Sequence, residues 1–268
     1  MVHRFAATIL PDGPAALDLP CHVTRPSVEG HPIPTLEEPH VTTIAIVGAG
    51  RGLGAAVARR FGREGHAVAL LARNAERVDA LAADLRAEGI DARGWVTDVR
   101  DPDSLDRALE QANETQGPIE VLQYSPLPQK SFLRPLLETT VDDARGAIEF
   151  SVYGPLAAVH SVLQNMRFVG KGTVLFVNGG TAVRPAPKFA GTSLSFAAQS
   201  AYAQMLHDTL APEDIHVAQL VIPGAIEEGH PQKDPEVLAE TLWSMHTRRD
   251  EFRVFATEMD DEVRETAT

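Results

Sequence analysis

The chain has 268 residues, 44% of them hydrophobic, which suits one large domain with a full core or at most two small ones. Its formal net charge of −13 argues against broad binding to nucleic-acid phosphates, while leaving room for a local basic pocket. Cys21 is the one cysteine, so no internal disulfide can form; no apolar run approaches the roughly 20 residues of a membrane span, no secretory signal is readable, and a reducing cytoplasm is the expected location.

Residues 1–40 carry Pro11, Pro14, Pro20, Pro26, Pro32, Pro34 and Pro39 and no sustained apolar period. They read as an extended or disordered arm, with the wrapping of a partner subunit as a further possibility. Residues 41–268 read as a single domain. "TTIAIVGAG" is a buried parallel strand ending in glycines. "GLGAAVARRFGREG" is a helix closed near Gly65, "HAVALLAR" a second strand, and "NAERVDALAADLRAEG" a helix closed by Gly89. "ARGWVTDV" is a third strand. Asp101 caps the next helix with Pro102 at its first position. "IEVLQYSP" is a fourth strand. Thr140 and Asp143 have capping-box spacing and open one long helix, 141–166. "GTVLFVNGG" is a fifth strand, a helix spans roughly Ser195 to Leu210, and "IHVAQLVIPG" is a sixth strand. The end of the chain predicts an amphipathic helix and a short strand, with Trp243 and Met245 closing the substrate side or a subunit contact. Such alternation implies a parallel sheet covered on both faces by right-handed crossovers.

The first strand runs into Gly48-Ala49-Gly50-Arg51-Gly52-Leu53-Gly54. The pattern is G-x-x-x-G-x-G, from Gly48, Gly52 and Gly54. Between a strand and a helix it brings backbone N–H groups, and the positive end of the helix, to a pyrophosphate. The second strand ends in Ala72-Arg73, where an acidic residue would hold a ribose 2′-hydroxyl. A small side chain beside an arginine instead favours a 2′-phosphate, with Arg51 converging on it, so NADP(H) is expected over NAD(H). Asp98 is placed to accept from an adenine amine or to serve as a turn residue before the helix.

Together "VGAGRGLG", "LLARN", "TDV", "SVYGPLAAVHSVLQNM", "GTVLFVNGG" and "VIPG" resemble the short-chain dehydrogenase/reductase family, from about Thr43 to Gly224. The resemblance implies a doubly wound Rossmann fold with about seven parallel strands. It implies a nicotinamide cofactor across their carboxyl ends, held by Gly48, Arg51, Gly52, Leu53, Gly54, Arg73, Asp98, Val99, Pro223 and Gly224. It also implies a homodimer or homotetramer, matching the apolar helix faces at 144–166 and 195–210; a monomeric mass by light scattering would overturn this. The family's working set is Asn, Ser, Tyr and Lys. Those places hold Ser151, Gly179 with Asn178 beside it, Ser195 and Gln199. "Tyr-x-x-x-Lys" occurs nowhere in the chain. The Gln123-Tyr124-Ser125-Pro126 and Gly179-Gly180 turns resemble a divergent branch of the family that also lacks the pair.

Ser195 has no adjacent base in sequence and is a poor acid. Tyr124, at the carboxyl end of a strand, and Tyr153 are the candidate replacement donors, and Asn178 a candidate partner for a substrate carbonyl. His160 and His207 read as packing residues. No metal-ligand spacing and no nucleophile elbow is present. Three functions stay open: an NADP(H)-dependent oxidoreductase on a small carbonyl or alcohol, a cyclase, isomerase or lyase on the same fold, and a cofactor-binding regulatory protein. No nucleic-acid or membrane partner is expected.

Overall fold

In the computed structural model, residues 42–259 are described. The expectations for residues 1–40 fall outside that range. Thr43–Val47 forms β1, all five side chains buried. Its even residues Ile44 and Ile46 pack into one apolar cluster, and Ala45 and Val47 into another on the opposite face, as the period of two demands. A strand buried on both faces needs helices on both, and the chain supplies them. Next come α1 (Leu53–Arg63), β2 (Ala67–Ala72), α2 (Ala75–Ala87), β3 (Ala92–Val96), α3 (Pro102–Gln116) and β4 (Ile119–Tyr124). They are followed by α4 (Val141–Ile148), α5 (Gly154–Val169), β5 (Gly172–Gly179), α6 (Ala190–Leu210), β6 (Ile215–Ile222), α7 (Pro235–Arg248) and β7 (Arg253–Phe255).

The seven strands lie in the order β3-β2-β1-β4-β5-β6-β7, and every neighbouring pair is parallel. This is the doubly wound Rossmann arrangement. The order reverses between β1 and β4, which opens a crevice at the carboxyl ends of the strands. α1, α2 and α7 cover one face; α3, α5 and α6 cover the other. The predicted caps form: the Asp101 carboxylate accepts from Ser104 N, and Thr140 with Asp143 makes a full capping box.

Two helices differ from the sequence expectation. The long helix is interrupted by a π-turn at Glu149–Tyr153. Pro155 explains it: with no N–H to give, it leaves the backbone one donor short, and Gly154 N bonds back to Glu149 O. α6 begins at Ala190, ahead of the expected start near Ser195. Gly191 in the added turn packs its backbone against Phe132; a Cβ there would lie 2.7 Å from Phe132 O. Trp243 and Met245 do not close a substrate side. Trp243 stacks edge-on to Phe61 of α1 beneath Arg60, and Met245 is buried in the core. Among the described residues no helix is long and apolar enough to cross a membrane.

Candidate active site

The turn after β1 is fixed before any ligand arrives. Gly48 N and Ala49 N donate to Leu71 O, and Ser125 N donates to Val47 O. Gly48 has φ +94°, and a Cβ on it would lie 2.5 Å from Pro126 N and 2.8 Å from Ser125 C. Only glycine fits there. Gly50 and Gly52 face open space, with nothing within 4 Å of a Cβ built on either. No side chain caps α1 and no acid stands in its first turn, so the positive end of the helix meets the crevice uncompensated.

Beside this turn lies a cavity of about 910 Å³. Gly48, Arg51, Arg73, Arg77, Thr97, Val99 and Phe150 line it with neighbouring residues, and among the described residues no carboxylate does. None of the three guanidiniums makes an ion pair with another described residue. An open backbone cradle beside unpaired arginines fits a pyrophosphate and a further phosphate ester. Of the expected cofactor residues, Gly48, Arg51, Arg73 and Val99 line this cavity. Gly52, Leu53 and Gly54 form the first turn of α1 behind it; a Cβ on Gly54 would lie 3.0 Å from Ala49 Cα. Asp98 accepts from Arg100 N at 3.0 Å, the bond of a turn residue. Arg77, Asn74 and Phe150 were not foreseen. Arg77 lies one helical turn into α2, a position the strand-end rule does not reach.

The candidate catalytic residues do not converge as a family tetrad would. Tyr124 is 2% exposed and donates to Phe150 O at 2.5 Å. The π-turn leaves that carbonyl without its usual helical donor, and Tyr124 supplies one. Burial and the nearby Asp98 carboxylate push its phenol well above the ordinary range. Tyr124 is thus a buried clamp, and the expectation that it donates a proton to substrate is corrected on this geometry. Tyr153 lies in the π-turn and is 53% exposed. Tyr202, the one tyrosine of α6, packs on Phe176, and burial raises it to about 12.

Asn178, Ser195 and Gln199 are all buried. Asn178 is on β5, and Ser195 and Gln199 are one turn apart on α6. Asn178 Nδ2 donates to Gln199 Oε1, and Asn178 Oδ1 accepts from Gln219 Nε2 at 2.7 Å. Gln219 Oε1 accepts from Ser200 Oγ at 3.0 Å and from Arg253 Nε at 2.8 Å. Arg253 Nη2 also donates to Ser200 Oγ at 2.9 Å. A row of amides therefore runs from β7 through β6 and β5 into α6. Two atoms in this region have no partner: Ser195 Oγ and Gln199 Nε2. Gln123 Oε1, at the end of β4, is a third buried orphan. Such groups are costly unless something meets them. Among the described residues no group of metal-ligating side chains is assembled.

A second cavity, of about 780 Å³, opens at the carboxyl ends of β5 and β6. Gly180, Pro223 and Gly224 form its strand-end wall. The expected cofactor residues Pro223 and Gly224 thus lie here and not in the arginine-lined cavity. The Met259 side chain covers Gly180.

The comparisons agree with this architecture. "Dehydrogenase/reductase SDR family member 4" of Pongo abelii is 29% identical over 72% of this chain and 69% of its own length. "2,3-dihydro-2,3-dihydroxybenzoate dehydrogenase" of Bacillus subtilis is 30% identical over 68% of this chain and 69% of its own. The crystal structure of a short-chain dehydrogenase from Rhodopseudomonas palustris superposes with a TM-score of 0.71 at 26% identity, covering 81% of this chain and 98% of that one. The profile described as short chain dehydrogenase matches residues 42–236, and a Rossmann sheet with a glycine cradle at its switch point stands behind that match: the chain belongs to the short-chain dehydrogenase family.

Proposed function

We propose that the protein is an NADP(H)-dependent oxidoreductase acting on a small carbonyl or alcohol without the tyrosine–lysine pair. The observation that carries this reading is the arginine-lined, carboxylate-free cavity beside the glycine turn. Backbone N–H groups at 50–54 would hold the pyrophosphate, and Arg51, Arg73 and Arg77 the 2′-phosphate. When bound, the nicotinamide supplies or accepts the hydride. Gln199 Nε2 and Ser195 Oγ, two of the buried polar atoms without partners, would meet a ribose hydroxyl or a substrate oxygen. An amide and an unassisted serine do not ionise near neutral pH, so the proton comes from water and the chain contributes orientation and hydrogen bonds.

The test is a titration with NADPH and NADH followed by nicotinamide fluorescence. NADPH binds more tightly than NADH, and Arg73→Ala weakens NADPH about 10- to 100-fold, the cost of losing a charge-assisted contact, while NADH changes little. Binding of neither nucleotide ends this reading. One observation favours a second reading, a non-redox enzyme on the same fold: the amides at the catalytic places bond to one another. Conversion of a substrate with no change in NADPH absorbance would select it.

A further inference from the structure

After β7 the chain turns back over the sheet. β7 is three residues long and pairs with β6 from Gln219 to Val221. Ala256 N adds one more bond, to Val221 O at 2.9 Å, and the chain then leaves the sheet at the carboxyl ends of the strands. Thr257, Glu258 and Met259 line the second cavity from that side. Met259 reaches the strand ends themselves. A Cβ on Gly180 would lie 3.2 Å from Met259 Cε, 3.5 Å from its Sδ and 3.6 Å from Pro223 Cα. The thioether therefore rests on Gly180, on the side that faces Pro223. An unbranched, polarisable side chain suits such a seat, which a side chain at 180 would crowd.

The turn after β5 also holds the backbone of this segment. Arg184 N donates to Gly180 O at 3.0 Å, and Arg184 Nη1 donates to Met259 O at 3.2 Å. The root of the segment is fixed, because Arg253 is bonded to Gln219 and Ser200 of the amide row. Past that root, the hydrogen bonds that hold residues 256–259 among the described residues are the ladder bond of Ala256 and the Arg184 contact. Every residue from 256 to 259 is half-buried or exposed. A segment held so lightly opens at small cost, on the nanosecond-to-microsecond scale of loops and termini. A dinucleotide whose phosphates lie on the glycine turn extends across the switch point. β5 stands two strands from β1, about 10 Å at the usual strand spacing, within reach of an extended dinucleotide. Its far half then comes to Gly180 and Pro223, the strand-end surface on which Met259 lies.

We propose that residues 256–259 are an autoinhibitory strap: closed, it places Met259 on the strand-end surface that the nicotinamide half of NADP(H) needs, and it lifts about Ala256 when a whole dinucleotide binds. The proposal rests on the reading of the crevice as a nucleotide site. The strap acts on one half of the ligand only. The adenosine half meets the arginine-lined cavity, which no residue of the strap lines. Because the strap opens faster than a nucleotide arrives, it lowers affinity without adding a kinetic phase.

The test compares NADPH with adenosine 2′,5′-bisphosphate, which carries the 2′-phosphate and no nicotinamide. Both are titrated calorimetrically into the full chain and into its Met259→Gly and Ala256→Pro variants. The first variant removes the side chain that rests on Gly180; the second removes the N–H given to Val221 O. Each raises NADPH affinity about 5-fold or more, the gain expected when a form closed about four-fifths of the time is abolished, and each leaves the bisphosphate within about 2-fold. Hydrogen exchange reads the movement directly: NADPH speeds exchange of the Ala256 amide in the unsubstituted chain, and the bisphosphate does not. A rise shared equally by both ligands overturns the proposal, as does no rise. A fall for NADPH overturns it too, since the segment would then be a wall that holds the ligand. So does an Ala256 amide that NADPH slows or leaves unchanged. If both ligands bind and only these strap effects fail, the nucleotide site stands without the strap. If neither ligand binds any of the three chains, the nucleotide reading falls and the strap with it.

Discussion

The two halves of the sheet handle polarity in opposite ways. Around β1 and β2 the polar groups face outward into a cavity: open glycine backbone, an uncapped helix and three guanidiniums without carboxylate partners. Around β5 and β6 they face one another: Asn178, Gln199, Gln219, Ser200 and Arg253 form a buried row of hydrogen bonds. The first half leaves its polar groups open to the cavity. The second spends its polar side chains on one another, with Asn178 bonded to both Gln199 and Gln219. Binding and catalysis can therefore diverge within one fold, since the first needs backbone geometry and charge and the second needs titratable side chains at a few fixed points.

The largest way to break this contrast is Gly48→Ala. Strain at a positive φ and overlap with the backbone of Ser125 and Pro126 act together, so a loss of about 3 kcal/mol and of NADPH binding is expected in denaturation and fluorescence titrations. Retained nucleotide binding would show that the turn is more plastic than its geometry implies. In the other half, Gln219→Leu strips the donor from Asn178 Oδ1 and the acceptor from Ser200 and Arg253. It costs about 2–3 kcal/mol, read as a lower urea midpoint, with NADPH affinity unchanged. A loss of nucleotide affinity would mean the halves are coupled.

Acid sharpens the comparison further, because an amide row does not titrate. His246, bonded to Thr173 of β5, and His216 of β6 are held below the ordinary value of 6.5, at about 4. Burial is the main cause in both, followed by His66 near the first and Arg249 near the second. The unfolded chain takes up these protons near pH 6.5 while the folded protein does not. Stability is therefore complete above that pH and falls between 6.5 and 4, by on the order of 2 kcal/mol after allowance for partial exposure. Urea melts at pH 7.5 and 4.5 check this, and His246→Gln removes part of the difference. The smallest effect is that of Ser195→Ala. Its hydroxyl is buried without a partner, so stability stays within about 0.5 kcal/mol or rises. A large fall in turnover with stability intact would place that hydroxyl on the substrate.

The sequence made the β1–β2 half readable because its chemistry is local. A glycine turn between a strand and a helix, and an arginine at a strand end, carry their meaning within a few residues. The amide row draws on residues 178, 199, 200, 219 and 253, and nothing in sequence says which of a domain's buried amides will meet. Tyr124 shows the same limit. Its place at a strand end is consistent with a donor, but only the packed structure reveals a carbonyl waiting beside it. Pro155 was the available signal of that carbonyl, since a proline early in a long helix must leave an acceptor unserved. The side chains at 184, 188, 230 and 233 that line the second cavity come from two separate loops that only the fold brings together.

The clamp from Tyr124 to the π-turn also bears on how fast a nucleotide could dock. Phe150 and Pro126, two walls of the arginine-lined cavity, are tied by it to the end of the central strand. Gly154 must stay small for the clamp to close, since a Cβ there would come within 2.7 Å of Val99 O as well as against the tyrosine hydroxyl. Walls that are already in place need no slow rearrangement on encounter. Association should then follow a single concentration-dependent phase, with rates set by diffusion and by the arginines' pull on the phosphates.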